Sequence, residues 1–250
     1  MNIKDTFLKL TKYNVPYKKE SYLKKFLPKK IEKDIIGNYF IKIGNSRTMF
    51  TSHLDDASWN YDLNKVNHII KNNIISTDGR SILGADDKAG VTIMLYMIEK
   101  KVPGLYYFFI GEESGMVGSK GILNAQINKF KDYDRCISFD RRGYGSVITY
   151  QMGRESCSLE FANALVEQYN INGLPHRKDY GGIYTDSAAF INTIPECTNL
   201  SVGYFNEHSH METQDIEYLE KMSIISTKIK WDDLPIGEKN KHRKENNYFL

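Results

Sequence analysis

Apolar residues in this chain fall into short unbroken runs separated by longer segments of helical period, and that alternation sets the expected architecture. Residues 106–110 are a continuous apolar run of strand length, the pattern of a strand covered on both faces. Before it, residues 88–101 place Val91, Met94, Leu95 and Ile98 on one helical face, with Ile93 and Met97 filling much of the rest. Pro103-Gly104 stops that helix. The rhythm then repeats: helix over 116–126, strand over 135–139, helix over 159–169 with Leu159, Ala162, Val166 and Tyr169 on one side, strand over 199–204, helix over 216–225. Nearer the start, 3–12 and about 18–27 mix lysines with Phe7, Leu8, Leu10, Tyr22, Leu23 and Phe26, which predicts surface helices. Residues 38–43 and 48–51 read as two strands, the second leading into His53, and the two are expected to pair as a hairpin.

Helix and buried strand in alternation predict an α/β fold: a three-layer sandwich with a central, mostly parallel but mixed sheet and helices on both faces. Residues 1–233 read as a single domain, and 234–250 as a basic tail carrying Lys239, Lys241, Arg243 and Lys244. The chain has 250 residues and a net charge of +3, enough length for a sizeable core. Its basic residues are scattered in pairs such as Lys18-Lys19 and Lys24-Lys25, the pattern of a solvated face, so no nucleic-acid partner is expected. No apolar run approaches membrane-spanning length and the first residues form no apolar signal core, so no membrane association is expected and a cytoplasmic location is. Cys136, Cys157 and Cys197 lack CxxC spacing, which argues against a disulfide framework or thiolate zinc site and for a reducing compartment.

The candidate chemistry sits just after the apolar runs. His53 and Asp55, Asp86-Asp87, Glu112-Glu113, Asp140 and a cluster around His208 each follow a strand-like segment or, for the aspartate pair, open a helix. A parallel sheet delivers its strand ends to one edge, so these groups are expected to meet in one crevice. Carboxylates and imidazoles without cysteine suit zinc or a related divalent ion in an open, catalytic site. Two ions sharing one carboxylate would acidify a water and polarise a carbonyl. Glu112 and Glu113 are neighbours whose side chains diverge, so one is expected to bind metal and the other to shuttle protons. Asp55, two residues beyond His53, is placed to orient an imidazole. The residues alone leave Asp86 against Asp87, and His208 against His210, open. Taken singly, His53 or His208 reads as a hydrogen-bonded structural histidine, Asp86-Asp87 as a helix cap, and Glu112-Glu113 as a solvated turn. Arg141 and Arg142 read either as strand-end ion pairs or as contacts to a substrate carboxylate. Thr185-Asp186 reads as a turn or helix cap, and His68 and His176 as surface residues.

The order of the blocks carries a resemblance. Ser52-His53-Leu54-Asp55, Gly84-Ala85-Asp86-Asp87-Lys88-Ala89-Gly90, Gly111-Glu112-Glu113-Ser114-Gly115, Phe139-Asp140 and Asn206-Glu207-His208-Ser209 with Glu212 resemble the co-catalytic zinc exopeptidases, the clan of peptidase T and of the glutamyl and leucyl aminopeptidases, over about residues 5–226. The resemblance implies His53 and Asp140 on one ion, Glu113 and His208 on the other, Asp86 bridging, Glu112 as general base and Asp55 behind His53. It selects Asp86 over Asp87, and His208 over His210, and by it Thr185-Asp186 reads instead as a loop near the metals. The gaps between blocks are too short for the lid or dimerisation insert of several relatives, so no such insert is expected and specificity does not carry over. The implied function is a metal-dependent exopeptidase acting on small peptides or N-terminal residues, with two zinc ions, or cobalt or manganese. Alternatives are an amidase, deacylase or glutaminyl cyclase-like enzyme on the same scaffold, and a catalytically silent metal-binding domain; the oligomeric state is left open.

Overall fold

The computed structural model describes residues 1–58, 62–238 and 240. Its centre is an eight-stranded mixed sheet in the order Arg177–Asp179, Ser146–Ile148, Glu196–Ser201, Arg135–Arg141, Thr48–His53, Gly104–Phe109, Tyr39–Ile43, Glu32–Lys33. The four strands from Glu196–Ser201 to Gly104–Phe109 run parallel, and antiparallel pairings flank them. All four are buried along most of their length; Gly104–Phe109 is accordingly an unbroken apolar run, whereas the other three also bury polar residues such as Thr51, Ser138 and Thr198.

Helices cover both faces, as the α/β reading requires. Period-two alternation sorts the strand side chains: Phe50, Tyr106, Phe108, Ile137 and Phe139 join one core with Phe7, Met94, Leu219 and Trp231, whereas Met49, Leu105, Tyr107, Phe109 and Cys136 join a second with Ile122, Phe130 and Phe190. The helices are α1 (Ile3–Leu10), α2 (Ala85–Glu99), α3 (Val117–Gln126), α4 (Leu159–Ile171), α5 (Asp186–Ala189) and α6 (Ile216–Ser226). Helix α2 is buried almost all round, leaving only Tyr96, Ile98 and its last residue more open, as its nearly continuous apolar sequence dictates. It approaches the sheet closely at Gly90, where an added Cβ would lie 2.0 Å from the Phe139 carbonyl oxygen.

Several sequence expectations are corrected. The Tyr39–Ile43 and Thr48–His53 strands do not form a hairpin: Gly104–Phe109 lies between them, antiparallel to the first and parallel to the second. Its six fully buried positions need strands on both sides, and a central place supplies them. Glu20–Phe26 is a 3-10 helix and not an α-helix. On α4 the buried face is Phe161, Ala162, Leu165 and Tyr169, whereas Leu159 is 48% exposed. His176 is buried, stacked on Tyr169 with ring centroids 4.1 Å apart, and not a surface residue. A second, four-stranded sheet joins His68–Lys71 and Ile74–Thr77 to Thr213–Asp215 and Tyr204–Phe205, and the last two bracket the turn that carries His208.

The segment read as a tail begins docked. The Gly237 amide donates to Glu196 Oε1 (2.9 Å), and the Asn240 side chain donates to the Pro195 carbonyl (3.0 Å). Lys239, Lys241, Arg243 and Lys244 lie outside the described residues. No described helix is long and apolar enough to cross a membrane.

Candidate metal centre

The carboxyl ends of three parallel strands converge on one crevice. Thr48–His53 ends in His53, Gly104–Phe109 leads by a short turn into Glu112 and Glu113, and Arg135–Arg141 carries Asp140. Asp86 arrives from the start of α2, behind Gly84, whose φ of 72° is the left-handed conformation that favours glycine. His208 comes from the turn after Tyr204–Phe205, itself at φ 61°.

Asp86 lies between the two imidazoles. Its Oδ1 is 3.0 Å from His53 Nε2 and its Oδ2 is 3.1 Å from His208 Nε2, one oxygen for each side. On the first side, Asp140 Oδ1 lies 3.7 Å from His53 Nε2. On the second, Glu113 Oε1 lies 2.8 Å from His208 Nε2. Two donor sets with metal-compatible spacing result, His53–Asp86–Asp140 and Asp86–Glu113–His208; a third combination is His53 with both glutamates. Glu113 Oε1 is buried and, despite its short distance to the imidazole, makes no well-aligned hydrogen bond.

The surrounding groups fix these ligands. His53 Nδ1 is 3.0 Å from the Asp55 backbone carbonyl, which only accepts, so Nδ1 carries a proton, and Nε2 on the far side of the ring faces Asp86. Asp55 therefore orients His53 mainly through its backbone oxygen, its carboxylate being 3.6 Å from Nδ1. That carboxylate instead accepts the Glu112 and Glu113 amides (3.1 and 3.2 Å), tying two ligand-bearing loops together. Asp87, joined to Asp86 by a cis peptide, turns away from the crevice and accepts from the Ser52 hydroxyl and the His53 and Gly90 amides. Asp140 is held by the Thr185 and Tyr204 hydroxyls (2.8 and 3.1 Å), and the Asn199 amide group pairs with its backbone. Thr185 thus belongs to the site, and Asp186 beside it is buried with one carboxylate oxygen lacking a hydrogen bond.

Sequence reasoning missed two supports. Glu212, read only as a spacing marker, is fully buried and accepts the Gly84 and Asp86 amides (2.8 and 3.0 Å), which places the loop before α2. Lys88 and Asp56 form an ion pair of 3.0 Å with both side chains inaccessible, and Asp56 also accepts the Val15 amide. Breaking such a pair from one side typically costs about 3–5 kcal/mol. For Lys88 the available signal was a lysine inside the largely apolar α2, since an unpaired one would not be tolerated there; Glu212, in a polar turn, carried none. His210 is exposed and belongs to neither donor set among the described residues. Arg142 donates to Glu207 (3.1 Å), and Arg141 faces Asp179.

The electrostatics follow from carboxylate crowding. Burial pushes the Glu112 carboxyl up to about 9, with nearby Asp140, Asp186 and Asp86 adding to it. Asp140 rises to about 6, from burial and then the charge of Asp86. Burial also acts on Asp86, but the hydrogen bonds from His208 and His53 outweigh it and hold the carboxyl far below its usual range. His208 is raised to about 11 by Asp86 and then Glu113. A divalent cation relieves this pattern, since it stabilises all the carboxylates at once. A cleft of about 360 Å³ opens over the cluster, bordered also by Met116, Ile148, Ile183 and Tyr184.

The sequence model of Peptidase family M28 matches residues 35–230, and the chain belongs to that family. The Bacillus subtilis protein YqjE, itself uncharacterised, is 38% identical over 91 residues, 34% of this chain and 24% of YqjE. The match thus spans about a quarter of that curated relative. The fold is similar to aminopeptidase PepT from Bacillus cereus (TM-score 0.73, 18% identity, covering 90% of this chain and 96% of that one). It is also similar to a tripeptidase from Staphylococcus aureus (0.71, 18%, 90% and 96%) and to the TET1 peptidase of Pyrococcus horikoshii (0.70, 16%, 90% and 98%), which assembles into a tetrahedron or a large octahedral shell. At these identities the structural likeness establishes the fold.

Proposed function

We propose that this chain is a metal-dependent exopeptidase that removes N-terminal residues from small peptides, within a single catalytic domain at residues 1–233. The observation that carries the reading is the Asp86 carboxylate, with one oxygen toward His53 and the other toward His208. The donors fit a pair of divalent cations, zinc first and cobalt or manganese as alternatives, because imidazole and carboxylate without thiolate leave coordination open for a reactant. His53, Asp140 and Asp86 would hold one ion, and Glu113, His208 and Asp86 the other. Bound there, the ions would supply an acidified water and a polarised carbonyl.

The protein's own residues do the remaining work. Glu112 is the general base: it stands at the edge of the cluster, 4.0 Å from His53 Nε2. It takes the proton of the attacking water and returns it to the leaving amine. Asp55 positions the base, since its carboxylate holds the Glu112 and Glu113 amides. The modest cleft, at the lower end of ligand-pocket sizes (roughly 300–1,000 Å³), favours a short peptide over a folded substrate. The buried thiols of Cys136, Cys157 and Cys197 agree with a cytoplasmic setting.

The test is a panel of aminoacyl amides and di- and tripeptides with protein stripped by chelator and reloaded with zinc, cobalt or manganese. Hydrolysis at the first peptide bond that is lost on stripping and restored on reloading supports the reading. Hydrolysis of N-acyl amino acids alone would move the assignment to a deacylase on the same site.

A further inference from the structure

Arg141 follows Asp140 on the same strand and lines the same cleft, yet its hydrogen-bond donors are not used by the fold. Its side chain is 20% exposed, and its ionic neighbour is Asp179 Oδ2 at 3.6 Å, too far for a good hydrogen bond. No acceptor among the described residues takes a hydrogen bond from its guanidinium, which carries five N–H donors. Asp179 is itself satisfied by the Ser146 hydroxyl and the Gly181 amide (both 2.8 Å), so it steadies Arg141 by charge without consuming those donors.

The other cations of the cleft differ. Arg142 is 57% exposed and donates to Glu207 (3.1 Å), and Lys120 donates to the Gly115 carbonyl (3.0 Å). Guanidinium donors that the protein leaves unused beside a cleft are free to grip a planar acceptor, two of them in parallel. The buried Ile148 side chain lines the same cleft and would strengthen that contact by lowering the local dielectric.

We propose that Arg141 is a specificity-determining residue that binds a free carboxylate of the substrate, supplied by the C-terminus of a short peptide or by the side chain of an acidic N-terminal residue. The proposal rests on the exopeptidase reading of the neighbouring cluster. The test separates the two by measuring equilibrium binding with peptides that cannot be hydrolysed, their first peptide bond reduced to CH2–NH. Calorimetric titration of the metal-loaded protein compares a leucyl-glycyl-glycine analogue with its C-terminal amide, and a glutamyl analogue amide with its glutaminyl counterpart. The expected result is at least tenfold tighter binding of the charged member in one pair, which identifies the source of the carboxylate. In Arg141→Gln that ratio should fall to within about twofold, and in Arg141→Lys it should be intermediate, since a point charge lacks the paired donors. Equal affinities within both pairs for the unaltered protein, or a ratio that survives Arg141→Gln, would overturn the proposal. Hydrolysis of the ordinary peptides is scored separately: a carboxylate preference without turnover upholds Arg141 and defeats the exopeptidase reading.

Discussion

His53 and His208 reach the same carboxylate from opposite kinds of support. His53 ends a central strand, is 1% exposed, and has its amide and its far ring nitrogen both engaged. His208 sits on a turn between two short strands of the smaller sheet, is 49% exposed, and adopts a left-handed backbone. One half of the centre is fixed by the core, whereas the other depends on a surface turn. A ligand whose orientation is settled by packing before metal arrives pays little entropy on binding, so the His53 half is expected to hold its ion more tightly.

The largest effect should come from the group common to both halves. Asp86→Ala is expected to abolish binding of both ions and to lower kcat/KM by at least about a thousandfold, checked by metal analysis and peptide assay. Retention of one ion at full occupancy would show that the halves are independent. Glu112→Gln should lower kcat by roughly 10²–10⁴-fold with both ions retained, because it removes the proton carrier alone. Loss of an ion in that variant would make Glu112 a ligand, as in the third donor combination.

Contrasting the histidines directly sharpens the comparison. With chelator present, His53→Ala should destabilise the fold by about 2–3 kcal/mol, since it empties a buried hydrogen-bonded position, while His208→Ala, half exposed, should cost less, through its lost ion pairs to Asp86 and Glu113. Urea unfolding checks both, and equal losses would remove the asymmetry. The smallest effect is expected from Glu212→Gln, which keeps the shape but weakens the grip on the Gly84 and Asp86 amides. Metal affinity should fall by about 10–100-fold at both sites, as outer-shell changes commonly produce.

The same contrast governs what the amino-acid sequence reveals. The convergence of His53, Asp140 and the glutamate pair was legible because each lies at or just beyond a buried strand, where the parallel sheet has one edge to offer. The mixed sheet flanked by helices was legible for the same reason, from runs such as residues 106–110. Strand order was not: nothing local in residues 38–53 reveals that Gly104–Phe109 will insert between the two strands. The smaller sheet escaped notice because its strands are short and partly polar, and their pairing depends on partners more than a hundred residues away. Glu212 and Asp56, the partner of Lys88, were hidden because burial of a charge outside a helix is decided by tertiary contacts, and no residue adjacent in sequence marks it. His176 reads as polar, yet stacks on Tyr169 inside the second half of the fold.

The most direct test of the shared-carboxylate centre is the number of metal ions per chain, measured by mass spectrometry under native conditions on zinc-loaded protein and on His208→Ala. Two ions in the unaltered chain and one in the variant, still held through His53, Asp86 and Asp140, is the expected result. A chain that binds no ion, or binds a single one unaffected by His208→Ala, would contradict the account.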